Sequence, residues 1–153
     1  MSGFRPGLGI RIGNRVVTPL LRLGIPIGPM ALLTVTGRRS GLPRTTPIAL
    51  APHPKGWRLV APFGSVDWVR NLRAAGTAQI TRTRRTVDVR AIELTPVEAA
   101  PLLRESLLEV GPITRSVVGG HFAVTLDAPL ADWVAEAPLH PVFILVPILS
   151  RPR

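Results

Sequence analysis

From residue 31 onward the chain divides into short apolar, β-branched runs, ALLTVT at 31–36, TTPIALA at 45–51 and WRLVAP at 57–62, set apart by turns of glycine, proline and arginine. Runs of this length suit a pleated, half-buried strand, and turn residues at such close intervals forbid long helices. Three in succession read as a β-meander. Two more, 77–83 and 86–94, alternate imperfectly through Ala78, Ile80, Val87, Val89 and Ala91 around the polar turn Thr83-Arg84-Arg85, which is hairpin behaviour. A last apolar strand begins at Pro141.

Helical signals are fewer. DWVRNLRAA at 67–75 predicts a short helix stopped by Gly76. Thr95-Pro96-Val97-Glu98 opens another: a hydroxyl N-cap, a proline at the first helical position and a carboxylate two residues later make a capping box. Beyond Gly111-Pro112 and Gly119-Gly120 the chain reads as less ordered, and a short helix is expected at 130–137. Five or six strands with two or three helices predict a mainly β, α+β fold, a small β-barrel with helices at its edges, over residues 31–150. The strand order is not legible. At 153 residues and 46% apolar composition, one core and one domain are expected.

Residues 1–30 form a separate N-terminal segment. Leu8, Ile12, Val16, Leu20 and Leu23 recur at near-helical spacing, with Arg11, Arg15 and Arg22 on an adjoining face. Gly7, Gly9, Gly13 and Pro19 predict a break near Thr18. The apolar stripe has two open readings: it packs on the barrel, or it makes weak contact with a membrane surface.

Charge and composition narrow the function. The chain carries 19 Lys+Arg against 9 Asp+Glu, and Lys55 is the single lysine. Guanidinium forks select planar anions such as phosphate and carboxylate. Three partner types follow: an anionic cofactor, an anionic membrane surface or nucleic acid. With 5% aromatics and no tyrosine there is no stacking platform, so nucleic acid is not expected. Having no cysteine removes disulfides and thiolate chemistry, and the N-terminus does not read as a signal peptide, so a cytoplasmic protein is expected. The longest apolar run, PVFILVPIL at 141–149, is strand-sized. The three histidines lack metal-ligand spacing; His53 reads as a loop residue and His140 as a structural strand start.

The sharpest local signal is Thr34-Val35-Thr36-Gly37-Arg38-Arg39-Ser40-Gly41-Leu42-Pro43-Arg44-Thr45-Thr46-Pro47. Its glycines permit a tight turn with exposed N–H groups, and its arginines and hydroxyls add donors, as a site for an oxyanion requires. The same segment also fits a solvated basic hairpin. It is not a Walker loop, because the glycine spacing and the Lys-Ser/Thr pair are missing.

Residues 36–44 with Pro47, then Val60-Ala61-Pro62-Phe63-Gly64, Trp68-x-x-Asn71-Leu72 and His140-Pro141-Val142-Phe143, together resemble the deazaflavin-dependent nitroreductases. The resemblance spans about residues 30–146. It implies a flavin-reductase-like, FMN-binding-like split β-barrel with coenzyme F-420 along a groove between strands, and FMN as the less favoured cofactor. It implies that Arg38, Arg39, Ser40 and Arg44 hold the cofactor phosphate and glutamate tail. Thr45, Thr46, Pro47 and Ile48, with Val60, Ala61, Pro62 and Phe63, would run beside the ribityl chain and ring. Asp67, Trp68 and Asn71 lie at a helix start, where free N–H groups favour anions, and Asp67 is expected to cap that helix. Trp68 suits core packing equally well.

The chemistry implied is hydride transfer between the deazaflavin and a small acceptor, a quinone, enone or nitro compound, with Ser65, Asp67, His121 or His140 as available proton donors. No catalytic side chain is assigned. Two features depart from the family pattern: the short Gly64-Ser65-Val66-Asp67 connection has no proline before the tryptophan, and tyrosine is absent. The alternatives are an FMN-binding reductase of the same fold and a non-catalytic F-420 carrier. Split barrels commonly pair, so a homodimer is implied.

Overall fold

The computed structural model describes residues 8–149. Residues 1–7 and 150–153, and the side chains of Leu8, Ile10, Arg11, Ile12 and Val117, lie outside the described residues. The element order is α1 (Leu8–Arg22), β1 (Met30–Thr36), β2 (Pro43–Ala49), β3 (Ala51–His53), β4 (Gly56–Val60), α2 (Asp67–Ala75), β5 (Thr77–Arg82), β6 (Arg85–Glu93), α3 (Pro96–Glu109), α4 (Pro112–Gly119), α5 (Leu130–Glu136) and β7 (Val142–Pro147).

All seven strands join one antiparallel sheet in the order β2-β1-β5-β6-β7-β4-β3. This corrects the meander expectation, because β4 pairs with β7 and β3 rather than with β2. The single run expected at 45–51 is two strands. Leu50 turns away to donate its N–H to the Pro29 carbonyl at 3.0 Å, and the chain resumes as β3 on the opposite edge of the sheet. Two edges joined through one residue force the sheet to curl into a half-barrel. Twist makes that curvature the natural form for a sheet of this width.

One apolar cluster fills the concave side, with Leu33, Val35, Leu59, Ile80, Val89, Phe143 and Leu145 from the strands and Val69 and Leu72 from α2. A second lies between the sheet and the helices, from Ala99, Leu103 and Leu107 of α3, Trp133 of α5 and Val142 of β7. Strand β7 serves both clusters, so Val142 to Leu145 are all buried and the run is continuously apolar instead of alternating.

Local signals behave as their chemistry requires in most elements. Thr95 and Glu98 form the expected capping box on α3, and their hydrogen bonds hold the Glu98 carboxylate below its ordinary range. Gly76 ends α2 in the left-handed conformation. The β5–β6 turn is Thr83-Arg84, both at positive φ (47° and 65°), while Arg85 already pairs with Arg82.

Three expectations are corrected. First, α1 runs unbroken through Pro19. Pro19 faces outward, so the carbonyl deprived of its helical N–H partner can turn to water. Second, α4 occupies part of the stretch expected to be less ordered, with Gly111 ahead of it and Pro112 at its first position. Third, Asp67 does not cap α2. The N-cap is Val66, with no side-chain cap bond, and the Asp67 carboxylate pairs with Arg38 at 3.2 Å instead.

Candidate functional site

A groove of about 1850 Å³ crosses the molecule. That exceeds the roughly 300–1,000 Å³ of an ordinary small-molecule site and leaves room for a long ligand with a second molecule beside it. One end is bounded by the turn at 37–44 and by α2, and its middle by β2 and the end of β4. The far end is formed by α3 and α4 through Leu103, Ser106, Leu107, Val110, Thr114 and Val118, with Phe122 after them.

The turn is held from within. Gly37 N–H donates to the Leu42 carbonyl at 2.8 Å and Gly41 N–H to the Gly37 carbonyl at 2.9 Å. Leu42 N–H donates to Ser40 Oγ at 3.2 Å, and Gly41 adopts φ +69°, where an L side chain is strained. Arg38 is drawn onto α2. Its backbone N–H and its Nη1 both donate to Asn71 Oδ1, at 3.1 and 2.7 Å, and its Nη2 reaches Asp67. Asn71 is buried and spent on this contact. Arg39 and Arg44 have no ion pair among the described residues, and neither has Arg70 of α2, which lines the same end. Three guanidinium groups therefore face one end of the groove with their donors uncommitted to carboxylates, an arrangement suited to phosphate or carboxylate.

The middle of the groove is formed by strand side chains. Thr45 and Thr34 share a hydrogen bond between their hydroxyls at 2.9 Å. Thr46, Pro47 and Ile48 continue along β2, and Val60, Pro62 and Phe63 approach from β4. Ala61 does not line the groove. It is buried in the concave core, where its N–H pairs with the Pro141 carbonyl, while Val60 and Pro62 face the groove. Every other residue expected to touch the cofactor does line it, including Trp68, which also packs half-buried against the core 6.3 Å from Phe143; of the expected proton donors, Ser65 and Asp67 line it and His121 and His140 do not. Trp68 thus belongs to the groove wall and to the core packing at once. Ser65 stands at the rim, its hydroxyl accepting a hydrogen bond from Arg73 at 2.9 Å; Arg73 is fixed in turn by Glu93 at 2.8 and 2.6 Å, which holds its pKa above the ordinary value.

Behind Pro62 lies a buried pair. His140 Nδ1 is 2.8 Å from the Pro62 carbonyl, and His140 Nε2 is 2.8 Å from Glu136 Oε1, which also accepts from Ala123 N–H at 3.0 Å. The Phe122 ring stacks on the imidazole at 3.8 Å. Both ring nitrogens therefore lie within hydrogen-bonding distance of a protein oxygen, which fixes the ring between Pro62 and α5. Pro62 and Phe122 are groove walls, so His140 acts behind the site and does not line it.

On α3, Glu105 and Glu109 converge on Arg58 of β4, whose guanidinium is 5% exposed, and Arg58 and Glu109 also border the groove. Arg58, Arg70, the α3–α4 wall and Asn14 of α1 escaped the sequence reading. Arg70 had a signal, since it lies three positions after Asp67 on a predicted helix. The α3–α4 wall had none, because only the tertiary fold brings it to β4.

The family model for "F420H(2)-dependent quinone reductase" matches residues 11–124, from α1 to beyond α4. The chain belongs to this family. No curated protein matches. Among solved structures, this reductase-family chain is similar to the heme storage protein HutZ from Vibrio cholerae at 12% identity, with a TM-score of 0.52 over 89% of this chain and 90% of that one. It is also similar to protein Atu2129 from Agrobacterium tumefaciens at 15% identity, with a TM-score of 0.53 over 94% of this chain and 56% of that one. At such identities these two likenesses concern the fold alone. An F420-H2 dependent reductase, FDR-A, is 25% identical over 77% of this chain and 93% of that one, with a TM-score of 0.42.

Proposed function

We propose that this chain is an F-420-dependent oxidoreductase whose groove holds the anionic part of the cofactor beside Arg39, Arg44 and Arg70 and its ring between β2 and β4. The observation that carries the reading is the set of unpaired guanidinium groups at one end of a long groove whose remainder is largely apolar. A reduced deazaflavin supplies a hydride when bound. The protein's part is position and exclusion. Arg38, bonded to Asn71 and Asp67, sets the turn against α2, while Arg39 and Arg44 present free donors. Thr45, Thr46, Pro47 and Ile48 confine one edge of a planar ring, and Val60, Pro62 and Phe63 the other. The α3–α4 end offers Leu103, Leu107, Val110 and Val118 to an uncharged organic acceptor such as a quinone, enone or nitro compound. Self-association as a homodimer belongs to the same proposal, and light scattering of the purified chain checks it.

The test is fluorescence titration with F-420 and FMN side by side, followed by oxidation of reduced F-420 with one acceptor of each class. Tighter binding of F-420 with turnover of at least one acceptor is the expected result. Equal or reversed affinities would overturn the cofactor assignment. Tight F-420 binding without turnover of any acceptor would support a carrier in place of an enzyme.

A further inference from the structure

Two segments far apart in the chain, the end of α1 and the tip of the β5–β6 hairpin, are tied into one surface. Arg84 donates through Nε to the Leu23 carbonyl at 3.0 Å, and Arg82 donates to the Gly28 carbonyl at 3.1 Å. The stem of Arg84 lies so close over Gly24 that a Cβ there would sit 2.7 Å from Arg84 Cγ. Only glycine admits the arginine.

The surface is cationic and partly apolar. Arg15 and Arg22 share one face of α1, and Arg82, Arg84 and Arg85 crown the hairpin; none of the five has an ion pair among the described residues. No aspartate or glutamate precedes Asp67 in the chain, and of the two acids on the hairpin Asp88 is engaged by Gln79 at 3.0 Å and Glu93, at its far end, by Arg73 at 2.8 and 2.6 Å. Beside the arginines Val16, Leu23 and Ile25 are 57%, 59% and 45% exposed, whereas Leu21, on the inward face of the same helix, is 4% exposed. The helix thus packs on the barrel with one face, while Val16 on it and Leu23 and Ile25 just beyond its end stay outside.

We propose that this composite surface docks the protein on an anionic lipid bilayer, with Leu23 and Ile25 entering the headgroup region and the arginines meeting lipid phosphates. A bilayer satisfies both halves of the surface, since arginine stems and heads partition across the same boundary that accepts the apolar side chains. A nucleic-acid duplex would meet the charge and leave the leucine and isoleucine in water. Each arginine near an anionic bilayer is worth a factor of about five in partitioning.

Co-sedimentation of the full chain with phosphatidylcholine vesicles, with and without phosphatidylglycerol, tests the proposal. Binding is expected only with the anionic lipid. The double variant Arg22→Glu/Arg85→Glu should lower it on the order of 25-fold or more, and Leu23→Ser should weaken it while leaving F-420 affinity unchanged. Arg90→Glu/Arg104→Glu, the same charge change elsewhere on the surface, serves as the control, and a parallel titration uses a short DNA duplex. Binding equal on neutral and anionic vesicles, no binding to either, an equal loss in the control pair, or DNA bound more tightly than the vesicles would each overturn it.

Discussion

Arg38 and Arg44 flank the same turn and carry the same fork, yet their surroundings separate them. Arg38 spends its backbone N–H and both terminal nitrogens on Asn71 and Asp67, while Arg44 faces the groove with no carboxylate partner. The two arginines should therefore respond to substitution in opposite ways. Arg44→Ala is expected to weaken F-420 binding by roughly 1.5 to 3 kcal/mol, the range for hydrogen bonds to charged groups, with little change in melting temperature. Arg44→Lys should recover only part of that affinity, because an ammonium supplies charge without the parallel pair of donors. Arg38→Ala should instead lower the melting temperature, since it removes the shorter, charged donor from the buried Asn71 oxygen and leaves it only the backbone N–H of residue 38. Titrations and melts of the three variants check this, and an Arg44→Ala protein with unaltered affinity would place the anion elsewhere.

At the scale of elements, His140 and Glu136 join three segments that share little sequence neighbourhood: the end of β4 through Pro62, the loop after α4 through Phe122 and Ala123, and α5. Removing one member of a buried pair leaves the other without its partner, at a cost of about 3 to 5 kcal/mol. His140→Leu and Glu136→Leu should each destabilise by that order. The double variant should cost clearly less than their sum, because the second substitution removes a group already stranded by the first. Denaturant midpoints of the four proteins decide it, and additive losses would show that the two side chains do not act as a pair. Because the joined segments form two walls of the groove, acceptor turnover should fall in the single variants more than the affinity for F-420, whose anionic end is proposed to sit at Arg39, Arg44 and Arg70.

For the whole molecule, α1 is part of the packing of the half-barrel. It lies against β1 and β2, buries Leu21, and is held at its end by Arg84 and Arg82. Deleting residues 1–24 is accordingly expected to lower stability by at least the roughly 2 to 5 kcal/mol that truncating a single buried leucine costs. Thermal melts of the full and shortened chains measure this. A shortened chain melting at the same temperature would mean that α1 is an appendage, as the sequence division at residue 30 has it.

Much of the local structure was legible because its causes are local. The capping box at Thr95 and Glu98, the stop at Gly76, the hairpin at 77–94 and the basic turn at 37–44 each depend on residues within a few positions of one another, so composition and spacing suffice. The chain's family motifs likewise lie in short segments, and they pointed to the residues of β2, the end of β4 and α2 that line the groove. What escaped depended on distance in sequence. Whether β4 pairs with β2 or β7 is settled by the jump at Leu50 from one sheet edge to the other, and nothing in the runs themselves encodes it. Pro19 is tolerated because it faces outward, and Asp67 abandons its cap because Arg38 is within reach. Pairing with Pro141 and burial in the core kept Ala61 out of the groove, while long-range packing brought Arg58, Thr114 and Phe122 into it. The sequence by itself determined the strands, the turns and the cationic character of the site; the tertiary structure decided which cations remain free and which side chains share one groove, because both follow from contacts that local spacing cannot specify.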